Sequence, residues 1–191
     1  MTDPKDLTEL HRRATEEFAA RVRAVADDQW HLPTPCADWD VRALVNHLVY
    51  ENRWAVPLLE GRTLEEVGDR FEGDLLGDDP VAAWAEASAA ALGAAGRPGA
   101  LEGTVHLSYG DVPAGGYLTQ LSADHVIHAW DLARAIGADE RLDPELVDFA
   151  LPGTEADAEM ARGAGIFGPA VEIGADADPQ TRLLAVTGRR T

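Results

Sequence analysis

The stretch YLTQLSADHVIHAWDLARAIG (117–137) decides the reading of this chain. At 3.6 residues per turn, Tyr117, Leu121, Asp124, His128, Leu132 and Ala135 fall on one helical face that is otherwise an apolar stripe. Gly137 closes the helix. Asp124 and His128 are one turn apart, so their side chains stand one above the other. A carboxylate and an imidazole turned toward a core need an ionic partner, hydrogen bonds or a metal ion. A buried Asp–His ion pair meets that need, and so does metal ligation. His125, on the flank of the same face, competes with His128 for the ligand position.

Working outward, LEGTVHLSYGDVPAGG (101–116) is the one extended stretch, with turn signals at Gly110 and Pro113. Leu7, Leu10, Ala14, Phe18, Val22 and Val25 recur at three and four, which predicts a first helix over 5–28. HLPTPCADWD (31–40) breaks it with two prolines and offers Asp38 or Asp40 as the cap of a second helix, 40–60, ending at Gly61. Residues 61–78 are acidic and Gly-rich, a connecting loop with a short helical turn. An Ala-rich helix follows over 79–95 and closes at Gly96 and Pro98. Residues 143–165 read as one or two helical pieces interrupted near Pro152 and Gly153, before an extended segment and a last short helix. The expected fold is all-α: a four-helix bundle with one long crossover, short extended segments and small C-terminal helices, as a single domain over 1–191.

Composition narrows the function. Hydrophobic content of 46% with 26% charged residues is that of a globular chain. The net charge is −18 and Lys5 is the only lysine, a balance that repels phosphate backbones and argues against nucleic acid or an anionic membrane as partner. With no long apolar run, and with MTDPKDLTEL at the start in place of a signal pattern, a cytoplasmic protein is expected. The single cysteine, Cys36, excludes an internal disulfide and a cysteine-built zinc cage. The Ala-, Gly- and Arg-rich composition points to a GC-rich genome.

The second helix carries the complement to Asp124 and His128. His47, Glu51, Trp54 and Leu58 form a stripe beside its main apolar face. A histidine from one helix with an Asp/His pair from another makes an N2O donor set, and three protein ligands leave positions open, the pattern of a catalytic metal. Zinc suits such a set first; nickel, iron and manganese are compatible. Glu51 is a reserve ligand or partner to one, and Asp131, three residues after His128, is placed to orient an imidazole. No general acid or base is assigned; Tyr117 and Glu51 are the local candidates. Cys36 lies just before the second helix, but the sequence places no base beside it, and a lone cysteine defaults to packing. His11, His31 and His106 default to surface or packing roles, and Trp30, Trp39 and Trp84 to anchors of the core or of helix junctions.

TPCADWDVRALVNHLV (34–49) and ADHVIHAWDLARAIG (123–137) resemble the two hallmark segments of the DinB/YfiT-like superfamily, and FGPAVEIGADADPQTRLLAVTGR (167–189) resembles the usual ending of its single-domain members. The nearest likeness is to an actinobacterial branch related to the N-terminal domain of mycothiol-dependent maleylpyruvate isomerase. The resemblance implies a four-helix bundle that holds a divalent metal with His47, Asp124 and His128. It also implies a low-molecular-weight thiol such as mycothiol or bacillithiol as cosubstrate, in a transferase, isomerase or lyase acting on a small electrophile. The isomerase pattern has Glu where this chain has the shorter Asp124; His125 or a water would complete the shell if Asp124 did not reach. Only about forty residues follow Pro152, fewer than the second domain of the isomerases needs, so maleylpyruvate isomerisation itself is not carried over. A non-catalytic bundle that binds metal or a small ligand is the alternative class. Monomer and homodimer both fit.

Overall fold

A computed structural model describes residues 3–191 as seven helices and one hairpin. The elements are α1 (Pro4–Ala24), α2 (Val41–Leu59), α3 (Leu64–Val67), α4 (Pro80–Ala95), β1 (Thr104–Leu107), β2 (Gly110–Pro113), α5 (Ala114–Ile136), α6 (Pro144–Gly163) and α7 (Pro179–Val186). Local chemistry fixes most of the boundaries. Asp40 accepts from the Ala43 amide at the start of α2, and Thr63 with Glu66 forms a reciprocal capping box on α3. Asp79, Asp143 and Asp178 each cap a helix that has proline in its first turn. Gly137 ends α5 in the left-handed region at φ 71°.

Helices α1, α2, α4 and α5 make the bundle. α1 packs against α5 and α4, and α2 packs against the same two, so α1 faces α2, and α4 faces α5, across the diagonals. Two connections therefore cross the bundle: 25–40, and 96–113 with its antiparallel hairpin, in which Thr104 pairs with Pro113 and Leu107 with Gly110. α6 lies along α5, and α7 packs on α6. No helix of the described residues is long and apolar enough to cross a membrane.

Besides this second crossover, where one was expected, three sequence expectations change. The first helix ends at Ala24 instead of residue 28, and a tight turn takes over in which the Gln29 side chain accepts from the Ala26 amide. α6 runs unbroken through Pro152 and Gly153. Pro152 is exposed, so the carbonyl it leaves unpaired is on the wet side, while Leu146, Val147, Ala150, Leu151, Thr154 and Ala158 bury the other face and hold the helix together. The third change is a rotation of α5. His125 is fully buried at the centre of its inner face, and Asp124 sits at the rim of that face with its side chain 33% exposed.

The centre of the bundle is thus polar. The Thr15 hydroxyl donates to the His11 carbonyl, so it accepts the proton of His125 Nδ1 at 3.2 Å; Asn52 Nδ2 donates to His125 Nε2 at 3.1 Å. His11 Nδ1 donates to Ser122 Oγ at 3.0 Å, because Ser122 spends its own proton on the Leu118 carbonyl. The two imidazoles stack at 5.4 Å, with Phe18 and Trp84 against His125. His11 Nε2 has no hydrogen-bond partner among the described residues. Burial holds His11 neutral, pushed down to about 4, and holds His125 well below the ordinary histidine range, with the neighbouring His11 adding to it.

The sign of the resulting pH dependence is set by the unfolded chain, where His11 titrates near 6.5. The neutral imidazole favours the fold above that pH, and this contribution drains away as pH falls toward 4, by about 3 kcal/mol for His11. Urea denaturation from pH 7 to 4 is expected to show a larger loss in the wild-type protein than in His11→Gln. Parallel losses would mean that His11 takes up its proton without opening the core.

Candidate metal centre

Two local structures bring the site residues in. In TPCADW the Thr34 hydroxyl donates to the Trp39 carbonyl at 2.9 Å and accepts from the Cys36 amide at 3.2 Å. The Thr34 amide closes the same loop on Trp39, and Asp38 adopts φ 67°, a left-handed conformation that aspartate tolerates. The loop delivers Trp39 onto the rings of His47, at 4.8 Å, and His128, at 6.0 Å. The second local structure is the rim of α5, which places Asp124 and His128 opposite His47 of α2.

At that rim His47 Nε2 lies 3.2 Å from Asp124 Oδ2, and His128 Nε2 lies 3.3 Å from Asp124 Oδ1. All three ligand atoms are within 4.8 Å of one another. Donors about 2.1 Å from a tetrahedral zinc stand about 3.4 Å apart, so this spacing suits a divalent ion, and the Asp124 carboxylate lies within reach of both imidazoles despite its missing methylene. His47 is 26% exposed and His128 7%, which leaves the group open on one side. Asp124 is held well below the usual carboxylate range: burial opposes this, but His128 and His47 outweigh it. His128 is held well above its usual range, because Asp124 and Asp131 outweigh the burial that would lower it.

Behind His128 stands a second set. Its Nδ1 is 2.8 Å from Asp131 Oδ2, so one ring nitrogen faces Asp124 and the other Asp131. Asp131 has no exposed surface. Arg189 donates to both of its oxygens, Nη2 at 2.8 Å and Nε at 3.2 Å, and the Cys36 thiol donates at 3.2 Å. Burial would raise the Asp131 carboxyl, but His128 and Arg189 draw it down to about 2. Cys36 Sγ is also 3.8 Å from His128 Nδ1, so the fold gives this cysteine the histidine neighbour that the sequence could not.

The other named residues divide. Glu51, one turn beyond His47, is pushed up to about 7 by burial, with the attraction of His47 opposing and the Asp124 charge adding. The Tyr117 hydroxyl is buried without a hydrogen-bond partner among the described residues, and burial, with the nearby Glu51, pushes it well above its ordinary value. His125 is not brought to the group at all: both its nitrogens are taken in the core by Thr15 and Asn52. His31 and His106 pair with Asp40 and Asp111 on the surface. Trp84 is a core anchor as expected, whereas Trp39 walls the site. Arg189 was not foreseen. In the sequence it is one of an arginine pair after Thr187-Gly188, with nothing to say where either docks.

A DinB-like helical bundle that gathers two histidines and an aspartate at its open rim is the class this fold and site define. Residues 11–133 match the model of the mycothiol maleylpyruvate isomerase N-terminal domain, and the chain belongs to that family. Two uncharacterized proteins of Mycobacterium tuberculosis, from two strains, are each 35% identical over 150 residues, covering 76% of this chain and 76% of theirs. The crystal structure of the mycothiol-dependent maleylpyruvate isomerase superposes with a TM-score of 0.61 at 20% identity, over 89% of this chain and 75% of that one. An alanine variant of the mycothiol-dependent maleylpyruvate isomerase gives 0.64 at 19%, over 82% and 70%. At such identities the likeness is one of fold.

The geometry separates two adjacent residues of α5. Asp124→Ala should abolish stoichiometric zinc binding in isothermal titration with the helical content retained. His125→Ala should bind zinc as the wild type does while losing about 2–4 kcal/mol in denaturant unfolding, since it leaves a cavity and unpaired Thr15 and Asn52 groups. The reverse ordering would place the ligand at His125.

Proposed function

We propose that the chain is one bundle domain acting as a metal-dependent enzyme of low-molecular-weight thiols, a mycothiol-type S-transferase or isomerase-like protein for a small electrophilic substrate. The observation that carries this reading is the convergence of His47 Nε2, the Asp124 carboxylate and His128 Nε2 on one rim of the bundle. It is supported by the family to which residues 11–133 belong, whose description names mycothiol.

In this reading His47, Asp124 and His128 hold a divalent cation, zinc first, that favours the thiolate of a bound thiol at neutral pH. The remaining work falls to the chain. Glu51 is a carboxylate beside the triad, pushed up to about 7 by burial, and is the group of this chain placed to take the proton that the thiol gives up. The thiol sulfur then forms its bond to the electrophilic carbon, and the electron pair displaced from that carbon moves onto a substrate oxygen. Trp39 covers the His47 and His128 rings and keeps water from that side.

Elemental analysis of protein purified without an affinity tag is expected to give about one equivalent of a transition metal, lost in His47→Ala. The loaded protein should then consume a thiol in the presence of a small electrophile, while Glu51→Gln retains the metal and loses at least tenfold in rate. A protein that takes up neither added zinc nor added nickel would overturn the reading.

A further inference from the structure

Arg189 follows α7, yet its guanidinium lies beneath the rim of α5, with its side chain only 11% exposed. It meets the carboxylate of Asp131 on both oxygens. Asp131 in turn accepts from His128 Nδ1, and this leaves Nε2 of the same ring turned toward Asp124 and His47. The imidazole is therefore aimed from behind by a carboxylate that is kept from pivoting about its own side-chain bonds by the Cys36 thiol on one oxygen and by the arginine fork, which alone grips both.

The segment that carries Arg189 is seated by backbone. Gly188 has φ +88°, and a Cβ there would lie 2.9 Å from Gly168 Cα, 3.0 Å from its carbonyl carbon and 3.2 Å from the Pro169 oxygen. Only glycine fits, for conformation and for space. The Arg189 amide donates to the Leu184 carbonyl at 2.8 Å, and buried Thr187 bonds back to Leu183 and Leu184. From α5, Arg134 stacks on Trp130 at 4.8 Å and donates to the Arg190 carbonyl at 2.8 Å. The docking thus touches α5 in the turn after Asp131, and a shift of this backbone withdraws the fork.

We infer that Arg189 is a positioning residue of the metal centre, which it governs through Asp131 and His128, so that the segment 187–190 is part of the site and not only of its scaffold. The inference rests on the ligand assignment proposed above. It makes the metal affinity of His47, Asp124 and His128 depend on the close approach of Gly188 to Gly168, a contact that involves no polar atom of the site.

The test measures zinc affinity by competition with a chromophoric chelator, the visible spectrum of the cobalt-loaded protein, and thermal unfolding of the metal-free protein. It compares the full chain with Arg189→Gln, Arg189→Lys and Gly188→Ala. Arg189→Gln is expected to weaken zinc about 10- to 100-fold, the range for partners of metal-bound histidines, and to alter the cobalt spectrum. Arg189→Lys keeps the charge without the fork and should recover only part of the affinity. Gly188→Ala should weaken zinc in the same direction as Arg189→Gln. Wild-type affinity and an unchanged cobalt spectrum in Arg189→Gln and Gly188→Ala would overturn the inference while leaving the ligand assignment standing. A wild-type protein that binds no zinc would overturn both. Should Arg189→Gln fail to fold, Arg189→Lys and Gly188→Ala decide by the same readouts.

Discussion

A carboxylate with no exposed surface has to be met by donors strong enough to replace water, and Asp131 is such a group at the base of the site. Its donors come from three parts of the chain, two of them distant: the thiol of the 25–40 connection, a guanidinium from beyond α7, and an imidazole one turn back on its own helix. Each would be a surface group if the chain were cut into pieces. Satisfying one charge draws the TPCADW loop, the rim of α5 and the segment after α7 into a common position. Much of what surrounds His128 follows from that one requirement.

Two polar systems share α5, and they behave differently because of where each meets water. The inner one, around His11 and His125, is closed: hydroxyl and amide groups take up most of the ring nitrogens, and burial keeps both imidazoles neutral. It holds α1, α2 and α5 in register, and its one unpartnered ring nitrogen among the described residues, His11 Nε2, is fully buried. The outer one, around His47, Asp124 and His128, has opposed charges drawn together at a partly open rim, and its ligand atoms point at one another. Neighbouring residues in sequence, Asp124 and His125, thus belong to different chemistry.

The sequence shows α5 clearly because a long apolar period, a terminal glycine and an Asp/His pair coincide in one stretch, and a proline-rich break offers Asp38 or Asp40 as the cap of α2, of which the fold uses Asp40. Periodicity gives a stripe but not its centre. A wheel cannot say which of two adjacent residues faces inward, and the one-residue rotation that buries His125 comes from packing against α1 and α2. Pro152 misleads for a similar reason: the propensity is local, while the buried face that overrides it belongs to α6 as packed on α5. His47 could be paired with Asp124 and His128 from pattern and likeness of sequence, because all three lie on regular helices. Cys36 and Arg189 could not, since loop and terminal segments carry no period from which a partner can be read.

The diagonal arrangement bears on how such a chain comes to be folded. In an up-and-down bundle each helix meets its packing partner within one short turn, but here only α2 and α4 are close in sequence as well as in space. α1 waits about ninety residues for α5, and the Asp131 cluster waits a further 58 residues for Arg189. During synthesis the apolar face of α1 is therefore exposed long before its partner leaves the ribosome. The high separation of its contacts also marks this bundle as slower to assemble than helix count alone would suggest.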